Sequence, residues 1–406
     1  MTQRRTLASA LSLALLAAAC HQDELFSPLP PQYAGGAMFQ RYVAMGNSLT
    51  AGFQSGGIND STQGQSYAVL LAAAMGGDHF YYPSLNAPGC PPPYTNVFTG
   101  ARVGGGTGAT CLFRKAAIPP YLSNVAVPGA EALDLLENGP GTGTNSNALT
   151  LLFLGGRTQI QAMMDAHPTF VSVWAGNNDV LGAATNFANA GDPALVTPVA
   201  AFQTEYGEIV DSVKASGASA VLVGVVQVTA APFFSQGATY FAIKAGLVPG
   251  AAFPPTFIVG PNCAPSGLGG KGDSVLVPFP FGAALVGAAA AGASDTLFCT
   301  ELQTVQPAEL VNLVTTVVAY NTFISGQASA NNWAYLDPNP TLDSLRAIPT
   351  QVAPFPSLGA PCSANPFGLA FSCDGVHPSA ASHKIIARHL RLAINSKYGS
   401  AIPAVP

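Results

Sequence analysis

The chain has 406 residues, of which only 9% are charged, and its formal net charge is −5 at pH 7. A nucleic-acid-binding protein needs a basic face to neutralise phosphates, so this composition argues against that class of partner. A hydrophobic fraction of 49% excludes a disordered chain, and 43 glycines with 34 prolines indicate many turns around the core of one large domain or two ordinary ones.

The chain begins like an export signal. A basic start precedes an uncharged apolar run from Leu7 to Ala19, which is too short to span a bilayer comfortably. The run leads through three alanines into Cys20, and this resembles a bacterial lipobox, although Ala17 stands where leucine is most common. The resemblance implies that residues 1–19 are a signal peptide and that a lipidated Cys20 anchors the protein at the cell envelope, on its periplasmic or surface face. The alternative is ordinary secretion after the alanines, and in both cases residues 20–38 form a proline-rich tether.

Strands and helices are predicted to alternate along residues 39–400. Short apolar runs that end near glycine or proline predict buried strands at Tyr42–Met45, Val125–Val127, Phe170–Trp174, Ala220–Val226 and Trp333–Leu336. Helical spacing predicts helices at Ser66–Met75, Arg157–Ala166, Val199–Ser216, Leu310–Ile324 and Ala380–Lys397. Because the strands are apolar throughout, we expect an α/β fold of three layers (α/β/α) with a central, mainly parallel sheet.

Residues 229–304 interrupt this alternation with an apolar stretch rich in proline and glycine. Its segment Val275–Ala293 carries no charge, but its several prolines and glycines argue against a membrane span. We expect either an insertion that packs over the carboxyl end of the sheet as a lid or a second small domain, and both interpretations stay open.

Six cysteines remain when Cys20 is set aside. An even number of cysteines in an exported chain implies disulfides. The six fall as neighbouring couples along the sequence, which favours three local bridges, and none has the Cys-x-x-Cys spacing of a zinc or redox site. The predicted pairs are Cys90–Cys111, Cys263–Cys299 and Cys362–Cys373.

Polar residues or glycine follow three of the predicted strands. Active sites of parallel sheets lie at this carboxyl end of the strands. Ser48 lies in Gly-Asn-Ser-Leu after the first strand, where its hydroxyl and backbone N–H could both face a substrate. The more common role of a serine in such a place is that of a turn residue or helix cap. Gly129 follows the second strand, and Asn178 in Gly-Asn-Asn-Asp follows the third. A backbone N–H and an amide there can stabilise a developing oxyanion.

A carboxylate and an imidazole stand close together near the carboxyl terminus. Asp374 and His377 are three residues apart across a turn, which lets the carboxylate reach one ring nitrogen and fix the tautomer. His383 and His389 follow at six-residue steps within a predicted helix. Such steps do not share one helix face, so we expect no metal cluster there.

Taken in this order, the four strings resemble the blocks of the SGNH/GDSL hydrolase family. The resemblance implies a flavodoxin-like fold and the hydrolysis of carboxylic esters by a serine hydrolase without metal or cofactor. It implies that Ser48 is the nucleophile, His377 the base and Asp374 the acid that orients it. The oxyanion hole would combine the N–H groups of Ser48 and Gly129 with the amide of Asn178. The substrate would be a small-molecule or lipid ester, and we expect a monomer.

Two features depart from the family pattern. Asn47 stands where the family usually has aspartate, so it brings no charge beside the nucleophile. A second string, Gly-Asp-Ser-Val at 272–275, matches the motif better at its aspartate, but it lies within 229–304 after a glycine-rich loop, and we reject it. The apolar insertion favours acyl-chain substrates weakly, because apolar linings are common in pockets. A carbohydrate acetylesterase and a surface-binding lipoprotein without turnover are the alternatives.

Overall fold

The computed structural model describes residues 36–76, 79–111, 119–138 and 146–405. The predicted signal peptide, the lipidation site Cys20 and most of the predicted tether lie outside these ranges. The strands are β1 Tyr42–Gly46, β2 Tyr94–Asn96, β3 Ala101–Arg102, β4 Phe170–Trp174, β5 Ser219–Val223, β6 Phe234–Gln236, β7 Phe257–Val259, β8 Leu276–Pro278, β9 Asp295–Leu297 and β10 Ala334–Leu336. The α-helices are α1 Ser48–Ala51, α2 Asp60–Gly64, α3 Tyr67–Met75, α4 Leu133–Leu136, α5 Ala148–Leu154, α6 Gln159–Asp165, α7 Asn178–Ala184, α8 Val199–Ala215, α9 Gly237–Lys244, α10 Phe279–Ala290, α11 Pro307–Ala330, α12 Asn339–Arg346 and α13 Ala380–Tyr398. Short 3₁₀ helices occur at Ala37–Phe39, Val103–Gly105, Pro193–Leu195, Val228–Ala230, Pro261–Cys263, Ser266–Leu268, Gly272–Ser274 and Cys362–Ala364.

The central sheet contains four parallel strands in the order β1-β4-β5-β10. The predicted strand Val125–Val127 is not a regular strand and needs correction. It runs beside β1, where the Val125 N–H donates to the Ala44 carbonyl (3.0 Å), but the pairing amounts to one isolated bridge, between Ala44 and Asn124. The Val127 N–H donates to the Gly46 carbonyl (3.2 Å), but the Gly46 N–H donates to the Gln159 side chain and not to this segment, so no second bridge forms.

Helices cover both faces of the sheet. Val43 and Met45 of β1 pack in one apolar cluster, and Tyr42 and Ala44 pack in the other, because side chains alternate along a strand. The first cluster includes residues of α4–α8 and α11, and the second includes residues of α3 and α13. The predicted three-layer α/β fold with a parallel sheet is therefore confirmed.

Residues 229–304 fold around a core of their own. The strands β6 and β8 pair antiparallel, β7 and β9 pair parallel, and helices α9 and α10 complete the unit. Its buried core is formed by Tyr240, Phe257, Cys263, Val275, Val277, Ala289, Leu297 and Cys299. The uncharged segment within it is divided between β8 and α10, and in the described part of the chain no helix is both long and apolar enough to cross a membrane.

Three disulfides staple the chain locally. They join Cys90 to Cys111, Cys263 to Cys299 and Cys362 to Cys373, which are the pairs predicted from sequence order. The Cys90–Cys111 bridge closes the loop that contains β2 and β3, and the Cys263–Cys299 bridge lies within the 229–304 unit. The third ends at the residue directly before Asp374.

Candidate active site

The carboxyl end of β1 is held by a buried side-chain amide. Gly46 donates its N–H to Oε1 of Gln159 (2.9 Å), and Nε2 of Gln159 donates back to the Gly46 carbonyl (2.8 Å). Gly46 has a φ of 145°, and a Cβ there would collide with the Trp174 carbonyl oxygen. Glycine therefore lets β1 turn sharply into α1 against the end of β4.

Ser48 is the first residue of α1 and is 7% exposed. The preceding Asn47 caps this short helix, because its Oδ1 accepts a hydrogen bond from the Leu49 N–H (3.1 Å). An asparagine thus supplies the local hydrogen bond that an aspartate could also supply, but without a charge. Its Nδ2 is buried and has no hydrogen-bond partner within the described ranges.

The structure brings Ser48, His377 and Asp374 into one line of hydrogen bonds. The Nε2 of His377 lies 2.9 Å from the Ser48 Oγ, and Nδ1 of the same ring lies 2.9 Å from Oδ2 of Asp374. Both side chains of the pair are largely buried, with exposed fractions of 13% and 12%. Ser48 and His377 are 329 positions apart in the sequence, and the contact predicted between them is present in the structure.

Backbone donors surround the Asp374 carboxylate. The Gly56 N–H donates to Oδ2 (2.6 Å), while the N–H groups of Val376 and His377 donate to Oδ1 (2.9 and 2.8 Å). Burial by itself would raise the pKa of Asp374, but the adjacent His377 and these donors outweigh it and lower the pKa from 3.8 to about 2. The carboxylate is therefore charged at neutral pH, facing the imidazole.

Hydrogen bonds join the three segments that carry the expected oxyanion donors. Asn178 begins α7 and donates one amide hydrogen from Nδ2 to the Ala130 carbonyl (2.8 Å), which leaves the second for the cleft that it lines with Ser48. Gly129 has a φ of 88°. Hydrogen bonds of its neighbours fix its position, because the Val127 N–H donates to the Gly46 carbonyl and the Ala130 carbonyl accepts from the Asn178 amide. In the described ranges, the N–H groups of Ser48 and Gly129 donate to no protein acceptor.

Asp179 has a structural role that the sequence reasoning missed. Its side chain is fully buried, and Oδ2 accepts a hydrogen bond from the Ala132 N–H (3.1 Å), which ties α7 to the loop that contains Gly129. Burial, with a further contribution from the charge of Glu131, raises the pKa of Asp179 to about 8. The sequence showed only an aspartate in a turn, and its distant partner could not be read from the motif.

An apolar cleft opens beside the Ser48 hydroxyl. Its walls include Leu342 and Leu345 of α12 and Ile385 and Ile386 of α13. Of the 229–304 unit, only Ala231 lines the cleft. The apolar character of that unit therefore says nothing about the substrate, and its role as a lid stays a prediction.

The Gly-Asp-Ser-Val string at 272–275 does not line the cleft, and the two histidines of α13 have no place in the line of hydrogen bonds from Ser48 to Asp374. The Ser274 hydroxyl donates to the Lys271 carbonyl (3.2 Å), and the Asp273 carboxylate accepts from Ser266. His383 is fully buried, and burial lowers its pKa to about 3, whereas His389 is exposed. No group of three or more histidines, cysteines or carboxylates suited to a metal ion occurs in the part of the chain that the structure describes.

Several solved structures are similar to this chain at low sequence identity. Three solved structures resemble the fold at low scores: an acetylxylan esterase from Geobacillus stearothermophilus (13% identity, 90% of this chain and 95% of that one, TM-score 0.38), LAE5, an alpha/beta hydrolase from the metagenome of Lake Arreo, Spain (12%, 91% and 98%, 0.38), and TesA (12%, 88% and 98%, 0.36). Such distant similarity carries no argument about the substrate. No curated protein matches the chain in sequence.

The sequence model of one family, described as GDSL-like Lipase/Acylhydrolase, matches residues 42–262, which is more than half of the chain. This range contains β1, β4, β5 and three of the blocks identified above. The chain belongs to the GDSL-like lipase/acylhydrolase family and is a serine hydrolase that acts on esters.

Proposed function

We propose that this protein hydrolyses carboxylic esters through an acyl-enzyme formed on Ser48. The observation that carries the proposal is the line of hydrogen bonds from the Ser48 Oγ through the His377 ring to Asp374. A serine hydroxyl becomes a nucleophile when an adjacent base can remove its proton, and this base is oriented by a carboxylate that stays charged.

In the first half-reaction, Oγ attacks the ester carbonyl carbon while Nε2 of His377 takes its proton. The negative charge that develops on the carbonyl oxygen is stabilised by the N–H groups of Ser48 and Gly129 and by the amide of Asn178. Asp374 stabilises the imidazolium. When the intermediate collapses, the alcohol leaves with the proton from His377.

In the second half-reaction, water attacks the acyl-enzyme with His377 again as base. The carboxylic acid is released and the Ser48 hydroxyl is restored. Each proton in this cycle therefore moves between Ser48, His377, water and the leaving alcohol.

We also propose that the enzyme is exported and held at a membrane by a lipid on Cys20. The run of small residues before Cys20 supports this location. Three disulfides support it as well, because such bonds persist in oxidising compartments and are rare in the cytosol.

The mechanism is tested by replacing its residues one at a time and measuring the hydrolysis of p-nitrophenyl acetate. Ser48→Ala should lower kcat by about 10⁴-fold or more, and Asn178→Ala, which removes one donor, should lower it by about 10²–10³-fold. Ser274→Ala is the matched control, because it removes the serine of the other Gly-Asp-Ser string and should change neither kcat nor KM.

Labelling by a fluorophosphonate gives an independent readout, since only an activated serine reacts. We expect the parent and Ser274→Ala proteins to be labelled and the Ser48→Ala protein to remain unlabelled. A parent protein that is folded but neither labelled nor active would contradict the proposal and favour a binding lipoprotein without turnover.

A further inference from the structure

A groove between α12 and α13 leads away from the catalytic serine. On α13 the lining residues are Ser382, Ile385, Ile386 and His389, which follow the spacing i, i+3, i+4 and i+7. Such spacing places side chains on one face of a helix. Along α12, from the residue that caps it, the lining positions 338, 341, 342 and 345 repeat the same spacing, so two helices present their lining faces to one groove.

One end of the groove lies at the reacting groups. Ser48, His377 and Asn178 all line it, and Leu181, one turn after Asn178 on α7, continues the wall. The acyl chain stays bonded to Ser48 through both half-reactions, whereas the alcohol leaves after the first. We therefore assign the wall that begins beside Ser48 and Asn178 to the acyl side of the ester.

The other end of the groove is polar and open. Thr341 and His389 stand there, with Oγ1 and Nδ1 separated by 3.4 Å, and His389 is exposed to solvent. The seven steps from Ser382 to His389 correspond to about 10 Å along the helix. An extended chain of about eight carbons covers this length, and further carbons would project into water.

We propose that the groove binds a medium-chain acyl group of about eight carbons, and that Ile386 contributes to this selectivity; the inference rests on the function proposed above. The side chains that form the middle of the groove, Leu342, Leu345, Ile385 and Ile386, offer no hydrogen bonds. They suit a hydrocarbon and do not suit the hydroxyl groups of a sugar.

The proposal predicts a specific dependence on chain length. In a series of p-nitrophenyl esters from acetyl to palmitoyl, kcat/KM should rise up to about fourfold per methylene while each added methylene enters the groove. The rise should stop near octanoyl, because later carbons gain no burial. Highest activity on the acetyl ester would overturn the proposal and favour the acetylesterase alternative.

A bulky side chain in the middle of the groove provides the sharper test. Ile386→Trp should lower the ratio of kcat/KM for the octanoyl ester to that for the acetyl ester by about tenfold or more. Leu392→Trp is the matched control, since Leu392 lies on the same helix, is 53% exposed and does not line the groove. It should leave the ratio unchanged. If Ile386→Trp does not fold, Ile386→Ala serves instead, and a ratio equal to that of the parent would overturn the proposal.

Two further measurements separate the failure of the groove from the failure of catalysis. Calorimetric titration with octanoate requires no turnover, and the Leu392→Trp protein should bind octanoate at least tenfold more tightly than the Ile386→Trp protein. Octanoate binding without hydrolysis of any ester would support the groove and contradict the mechanism. Acetate esters of longer alcohols lengthen the alcohol instead of the acyl chain. If Ile386→Trp lowers kcat/KM for these esters alone, the groove holds the alcohol, and the acyl assignment is overturned.

Discussion

At the scale of single residues, Asp179 shows how a charged residue type can serve as a neutral part of the scaffold. Its carboxyl group is fully buried, and burial raises its pKa from 3.8 to about 8. Near neutral pH the group is therefore largely protonated. Its hydrogen bond from the Ala132 N–H holds the loop of Gly129 against α7, next to Asn178. Asp179 acts through these neighbours and is a positioning residue.

The raised pKa of Asp179 predicts a dependence of stability on pH. The folded protein holds this proton more tightly than the unfolded chain, so the stability it confers is complete below pH 3.8 and is lost progressively as the pH rises to about 8. Asp179→Asn keeps the shape without the charge, and its melting temperature should fall less over this range than that of the parent. Thermal unfolding at a series of pH values measures the difference. Asp165→Asn, at an exposed ion pair with Arg157, is the control and should follow the parent. Equal pH slopes for Asp179→Asn and the parent would contradict the prediction.

The motif residues could be predicted from sequence, but the residues that support them could not. Ser48, Asp374 and His377 stand in short strings whose chemistry is visible without a structure. Gln159 and Asp179 act on Gly46 and Ala132, which lie 113 and 47 positions away. No periodicity or local spacing marks such pairs, because only the folded chain brings the partners together.

At the scale of elements, two loops that are far apart in the sequence fasten the Asp374 carboxylate. The Ser55 N–H donates to the Ser372 Oγ (2.8 Å), the Cys373 N–H donates to the Ser55 Oγ (3.1 Å), and Gly56 donates to Asp374. Ser55 adopts a left-handed φ of 54°, which is uncommon for a residue other than glycine and turns the chain so that Ser55 and Gly56 both face the second loop.

The disulfide Cys362–Cys373 should matter to the rate as well as to the fold. Replacing both cysteines by serine removes a bridge over 11 residues, which should cost about 2–3 kcal/mol of unfolding free energy. Because Cys373 adjoins Asp374, kcat should also fall about tenfold, since a small displacement of a catalytic group costs up to about 10²-fold. Denaturant unfolding and ester hydrolysis measure the two effects.

The matched control is the double replacement of Cys263 and Cys299, whose bridge lies within the 229–304 unit. It should lower stability but leave kcat near that of the parent. Equal losses of kcat in the two double variants would show that the bridge beside Asp374 has no special effect on the acid.

Strongly patterned elements could be predicted from sequence, and short elements without a visible pattern could not. The strand Phe170–Trp174 has its predicted bounds, and the last helix differs by one residue. Helix α12 was missed because it has eight residues and a proline in its first turn, where proline is tolerated but reads locally as a breaker. The strands of the 229–304 unit have three residues each, too few for a period to show.

At the scale of the whole molecule, the proposed location at a membrane rests on residues that precede the fold. Cys20→Ala should move the protein from the detergent phase to the aqueous phase of a Triton X-114 partition after expression in a bacterium, because the lipid supplies the membrane affinity. Ser27→Ala, in the predicted tether, is the control and should partition like the parent. A parent protein found in the aqueous phase would favour ordinary secretion.

Composition identified the 229–304 unit as unusual but could not show what its apolar residues contact. In the structure one set of them packs around Tyr240 and Phe257, another set that includes Phe233 and Phe279 packs in the core of the main sheet, and the cleft is lined mainly by other helices. The number of apolar residues in a segment does not specify their partner. The substrate preference inferred from this segment therefore had no structural basis. The proposal of an acyl-chain substrate rests instead on the groove between α12 and α13.

The separation of 329 residues between Ser48 and His377 has a consequence for biosynthesis. Ser48 leaves the ribosome early, directly after the first strand, whereas the imidazole proposed to activate it follows 329 residues later. Until then Ser48 is an ordinary alcohol. We therefore expect nascent fragments that end before His377 to be unable to attack esters of the producing cell.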